Sequence, residues 1–219
     1  MLKKSILVFC VFFYSFFAYA NNFEDYIRAE NPKISTMDVK LISQNIIKYS
    51  AKRNHDPVVI LVINQVESDF NRWARSKGNY GLMQINRTVW IKNKRNKDNL
   101  IKRGIVGRTR DLYIPYININ AGTFIFQKKK EYCQNWIKRG IIKEKGYINL
   151  FHCAVSSYNG SKNKAEYYAK VVRGLRRFYK YFHKTELTLA LYINESIFIM
   201  VTNGEFQRIH TRKKNYFSI

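Results

Sequence analysis

Glu67 is the residue whose type and place first suggest chemistry. It follows ten residues, Pro57 to Val66, that are nearly all apolar. A run that is apolar on every side predicts a helix buried in a core. A glutamate near the C-terminal end of such a helix is costly unless it is paired or held protonated by desolvation. A protonated carboxyl with a raised pKa is what general-acid cleavage of a glycosidic bond requires. Position alone leaves that reading open against a helix-end glutamate that simply reaches solvent, the commoner case. His55, His152, His183 and His210 share no metal-ligand spacing, and there is no CxxC and no Cys/His cluster. The sequence therefore points to no metal and no cofactor.

The elements that must position Glu67 read as mostly helical. Ser35 can cap a helix running to about Lys52, with Val39, Ile42, Ile46 and Tyr49 on one stripe. Asp56 followed by Pro57 is a strong start for the next helix, a capping carboxylate and then proline at the first helical position. Residues 71–84, punctuated by Gly78 and Gly81, read as a loop or a short irregular hairpin. A basic connection covers 87–112, and helices are predicted at about 115–138, 146–157 and 163–183. In the tail, Ile197–Val201, the pair Asn203-Gly204 and the alternating Glu205–His210 predict a β-hairpin. The fold class is thus mainly α, with a small irregular β element and a C-terminal hairpin.

Composition narrows the partners. The chain has 219 residues, 46% of them hydrophobic, and a formal net charge of +24. A core can be buried, and disorder is excluded as the main state. Lys3 and Lys4, the apolar run Ser5–Phe17 and Ala18-Tyr19-Ala20 have the pattern of a secretory signal peptide, with cleavage expected after Ala20 and an uncleaved N-terminal anchor as the alternative. Its loss removes two lysines and no acid, so the balance falls to +22. An exported location follows, periplasmic or extracellular, with no stable membrane insertion once the leader is gone. Cys10 leaves with the leader, and Cys133 and Cys153 remain as either a disulfide or two buried thiols. The charge calls for an anionic partner, and nucleic acid, anionic lipid and anionic cell wall all satisfy charge alone. The expected division is a leader over 1–20, a main domain over 21–183 and an extension over 184–219.

Four short motifs, in order, sharpen this. Glu67-Ser68-Asp69-Phe70, then Ser76, then Gly78-Asn79-Tyr80-Gly81-Leu82-Met83-Gln84-Ile85-Asn86 resemble the lytic transglycosylase domain of the soluble type, a relative of goose-type lysozyme. Pro115 with Asn118-Ile119-Asn120-Ala121-Gly122 resembles that family's next motif. Ser157-Tyr158-Asn159-Gly160 resembles its Ala-Tyr-Asn-Ala-Gly element, and Tyr167-Tyr168 through Val171 the start of its last helix. Together they cover about residues 55–182. The chain departs from the pattern at Asn86, where many members have methionine, at Ser157 in place of alanine, and at Ser161 in place of proline. The form of the second motif resembles small members associated with secretion systems and pili.

The resemblance implies a lysozyme-like helical fold with the β element near a sugar-binding cleft. It implies peptidoglycan glycan strands as substrate, Glu67 as catalytic acid and then base, and no nucleic-acid partner. Ser68, Ser76, Gln84, Tyr158 and Asn159 would bind substrate or shape the cleft, with Tyr158 at or near Glu67. A secretion or pilus machine would be the protein partner. Usual glycosidases need two carboxyls. Between Gln65 and Glu131 the only other acids are Asp69, Asp98 and Asp111, and the last two lie among basic residues where ion pairing is the plain expectation. Two alternatives use the same features: a hydrolase with water as acceptor, and a cationic wall-binding protein without activity. Trp73 and Trp90 flank the glycine-rich motif; stacking on sugar faces is open to both, and burial is the default.

Overall fold

The computed structural model describes residues 21–160 and 163–182, and the backbone of 189–192, 197–202 and 205–210. The expected leader, its cleavage site, Ser161, His183 and the Asn203-Gly204 turn lie outside the described residues. The described chain is mainly helical with a small antiparallel sheet, as the sequence predicts. It divides into two compact units, the first ending at Gln127 and the second beginning at Lys128.

In the first unit, helix α1 covers residues 21–30 and buries Phe23, Tyr26 and Ile27. Their i, i+3, i+4 spacing makes one face, although the sequence analysis assigned nothing there. Helix α2 spans Thr36–Lys52, capped by Ser35, whose Oγ accepts the Asp38 amide at 3.1 Å. Its stripe of Val39, Ile42, Ile46 and Tyr49 is buried. Helix α3 spans Pro57–Ser68 and starts as expected: Asp56 Oδ1 accepts the Val58 amide at 2.8 Å. Val58 to Gln65 are all buried. The two polar residues at its end are provided for, Asn64 donating to the Ile60 carbonyl at 2.8 Å and Gln65 accepting from the Tyr26 hydroxyl at 2.9 Å. Gln65 also donates to the Glu30 carboxylate.

The segment after α3 folds into strands β1 (Arg75–Ser76), β2 (Asn79–Tyr80) and β3 (Ile85–Asn86), paired in that order. Arg75 faces Tyr80, and Tyr80 faces Ile85. Lys77 and Gly78 both have positive φ, 48° and 83°, as a two-residue hairpin turn of type I′ demands. A short π-helical turn (Thr88–Lys92) and a 3-10 turn (Thr109–Tyr113) lead to helix α4, Pro115–Lys138. The first half of α4 is pinned to the α2–α3 connection. Arg53 donates to Asn120 at 2.6 Å and Thr123 at 3.0 Å, and the His55 ring lies 3.1 Å from the Thr123 carbonyl.

The second unit holds the end of α4, helix α5 (Leu150–Asn159) and helix α6 (Lys164–Phe182). Helix α5 starts later than the expected 146 because Asn149 supplies the cap, accepting the His152 amide at 2.8 Å. Helix α6 buries Tyr167, Val171, Leu175, Phe178 and Tyr179 on one side. A disulfide joins Cys133 of α4 to Cys153 of α5, with Cα atoms 5.9 Å apart. The expected hairpin strands are present as β5 (Ile197–Thr202) and β6 (Glu205–His210). A strand the sequence analysis did not foresee, β4 (Leu189–Tyr192), pairs with β5. Among the described residues no helix is long and apolar enough to cross a membrane.

Candidate functional site

Glu67 is the penultimate residue of α3 and is half-buried. The helix stops there because Asp69 and Phe70 both take left-handed backbone conformations, φ 51° and 60°. Asp69 closes the helix through its amide to the Gln65 carbonyl at 2.8 Å, and Phe70 returns to the core. Ser68, the last helical residue, reaches across to the glycine-rich turn. Its hydroxyl lies 2.8 Å from the Leu82 carbonyl and 3.1 Å from the Asn64 carbonyl. One proton serves one acceptor well, and the shorter contact ties the helix end beside Glu67 to the turn.

That turn is built around its glycine and Asn118. Gly81 has φ 72°, and a Cβ there would overlap the Asn118 side chain and the Leu112 carbonyl. Both conformation and space therefore require glycine. Asn118, wholly buried in α4, accepts the Met83 amide at 2.8 Å and donates to the Tyr80 carbonyl at 2.9 Å and the Leu112 carbonyl at 2.6 Å. One side chain thus satisfies three backbone groups from two segments. Gly122, one turn further along α4, makes room for the Met83 side chain, which a Cβ would strike. In the sequence Asn118 stands within the Pro115–Gly122 motif with no role of its own. Its signal was a polar residue between Ile117 and Ile119 on a helix.

The remaining expected site residues are distributed as follows. Gln84, with φ 45°, directs its Nε2 at the Gly81 carbonyl (2.9 Å) and the Ala74 carbonyl (3.1 Å). Its amide hydrogens brace the turn. Ser76 is exposed in β1 opposite Asn79. Tyr158, half-buried, and Asn159, exposed, are the last two residues of α5 in the second unit, and Gly160 ends that helix with φ 66°. So α3 and the turn bring Glu67, Ser68 and Gln84 onto one braced framework, and Tyr158 and Asn159 belong to the other unit. Trp73 corrects an expectation: it is exposed rather than buried.

Of the acids between Gln65 and Glu131, two are ion-paired. Asp98 is paired with Arg103 at 2.6 Å. Asp111 pairs with Arg108 at 3.2 Å, and the Arg108 backbone amide, followed by its guanidinium, holds the Asp111 carboxyl below its ordinary range. Asp69 is exposed.

A family model described as the transglycosylase SLT domain matches residues 44–177, well over half of the chain. The chain belongs to that family, whose members are lytic transglycosylases acting on peptidoglycan. The match spans α3, the small sheet and most of α6, and so contains every residue of the framework around Glu67. No curated protein matches the chain.

Proposed function

We propose that this protein cleaves the bond between N-acetylmuramic acid and N-acetylglucosamine, leaving 1,6-anhydro-muramoyl ends. Glu67 first donates its proton to the glycosidic oxygen as the C1–O bond breaks. The resulting carboxylate then takes the proton of the muramoyl C6 hydroxyl while that oxygen bonds to C1 of its own sugar. No water is consumed, Glu67 ends protonated as it began, and ring closure within one sugar needs no protein nucleophile. Tyr158 is assigned to hydrogen-bond at or near Glu67. Gln84, Ser76, Ser68 and Asn159 are assigned to the groove, Gln84 through Oε1.

The observation that carries this reading is the seat of Glu67. It is a half-buried carboxyl at the end of a buried helix, braced against the glycine-rich turn by Ser68, while Asp98 and Asp111 are neutralised by arginines. A one-carboxylate mechanism suits that set. The leader motif supports export to the periplasm or beyond, where the wall is met, and a secretion or pilus machine is the partner we propose. The net charge of +24 suits a wall bearing acidic stem peptides.

The test is the mass of products released from purified wall. The wild-type chain is expected to release muropeptides one water lighter than hydrolysis products, and Glu67→Gln to release none. Products of full hydrolytic mass would assign water as acceptor and reject the transglycosylase outcome. Full activity in Glu67→Gln would reject the acid.

A further inference from the structure

Trp73 is 60% exposed, yet it is not loosely held. Its amide donates to Asn71 Oδ1 at 2.9 Å. The carbonyl of the next residue, Ala74, takes the Gly81 amide at 2.8 Å and Gln84 Nε2 at 3.1 Å. The indole is the outer member of a row of three rings. Tyr113 lies 5.4 Å from it, and Tyr80 lies 5.9 Å from Tyr113. Tyr80 is buried, and its carbonyl is bound by Asn118. The Arg72 guanidinium sits 4.6 Å from the indole centroid and pairs with Asp38 at 3.3 Å. Beside these contacts, 60% of the residue is left to water.

A hydrogen-bonded backbone, a supported ring and an exposed indole describe a binding element whose ordering cost is largely met. The C–H face of a pyranose is the complementary surface, as apolar faces stack on indole. Charge adds a second feature. Residues 70–80 contain Arg72, Arg75 and Lys77 and no acid. Arg75 is exposed, with its guanidinium 5.3 Å from the Tyr80 ring. We infer that Trp73, backed by Tyr113, is a sugar-stacking subsite for an N-acetylated aminosugar glycan, and that Arg75 takes a carboxylate from the acidic branch of that glycan. This rests on the glycan being the substrate as proposed above, but not on the identity of the catalytic acid.

The experiment measures binding without turnover, in the full chain carrying Glu67→Gln. Sedimentation with purified wall sacculi reads the branched, acidic polymer, and calorimetry with chitotetraose reads a neutral aminosugar chain. Adding Trp73→Ala is expected to weaken both about fivefold to tenfold. Trp73→Tyr should restore most of the loss. Arg75→Ala should weaken sacculus binding alone. Thermal melting of each variant checks the fold, which an exposed side chain should leave unchanged. Binding by Trp73→Ala equal to its parent on both ligands would overturn the subsite, as would a parent that binds neither. Equal loss on both ligands in Arg75→Ala would overturn the carboxylate contact. Product masses from the chain carrying Glu67 judge the reaction separately, so either idea can fail alone.

Discussion

The Ser68 hydroxyl donates to the Leu82 carbonyl at 2.8 Å, joining the end of the helix that carries Glu67 to the turn that carries Gln84. Nothing in the local sequence requires this, since a serine at a helix end could have bonded only its own backbone. Ser68→Ala removes the tie and leaves the Leu82 carbonyl without that donor. A typical hydrogen bond contributes about 1 kcal/mol to stability. A loosened acid is expected to cost roughly tenfold in kcat, since misplacement falls on the reacting geometry. Ser68→Thr keeps the hydroxyl and should recover most of the rate. An alanine variant with wild-type kcat on wall substrate would show that Glu67 is positioned without this bond.

Asn118 offers a harsher test of the same framework. Its truncation to alanine strands the Met83 amide and the Tyr80 and Leu112 carbonyls inside the first unit. Unsatisfied buried groups cost about 1–3 kcal/mol each, so roughly 3–5 kcal/mol is expected after partial relaxation. Asn118→Asp keeps the acceptor for Met83 but sets a carboxylate against two carbonyls, and should be no better at neutral pH. Urea unfolding measures both. A loss below about 1 kcal/mol in each would mean that the turn repacks without Asn118.

In the second unit, the Cys133–Cys153 disulfide closes a loop with a sequence separation of 20. Constraint of the unfolded chain over such a length contributes about 3 kcal/mol. Cys133→Ser with Cys153→Ser is expected to lose about that much stability in denaturant unfolding, and reductant should then have no further effect. If reductant leaves the wild-type midpoint unmoved while free thiols appear, the cross-link is not stabilising.

How much of this was legible beforehand depends on the range of each cause. Ser35, Asp56 and Pro57 act on amides two or three residues away, and the starts of α2 and α3 could be read from them. The place of Glu67 at the end of a buried helix was legible because a carboxylate there breaks a pattern that ten apolar-rich residues set. Helix α1 is hard to read from sequence, because Phe23, Tyr26 and Ile27 carry a helical period over residues 21–30 alone, directly after an apolar run. Strands of two residues, such as Arg75–Ser76, are too short to show alternation. The role of Asn118 could not be read, since its partners come from positions 80, 83 and 112 and meet only in the fold. Burial was the default for Trp73 because tryptophan is usually inside, and its exposure shows only in the fold.

His152 provides a dependence on pH whose sign follows from its surroundings. Burial pushes its imidazole below the ordinary value, about 6.5 for a free histidine. Its Nδ1 accepts the Ile148 amide at 3.2 Å, and its ring lies 4.3 Å from that of Tyr168. The folded chain thus favours the neutral ring, and the unfolded chain binds the proton more readily. A group lowered by folding contributes stability that is present above its unfolded value and lost as pH falls through its folded one. Stability is therefore expected to drop as pH is lowered from about 6.5 through the folded value. His152→Phe keeps a ring against Tyr168 but cannot titrate. The difference in unfolding free energy between wild type and His152→Phe should shift in favour of the variant on acidification over that window. A difference that stays constant from neutral to acid pH would show that His152 titrates alike in both states, and that its burial has no energetic consequence.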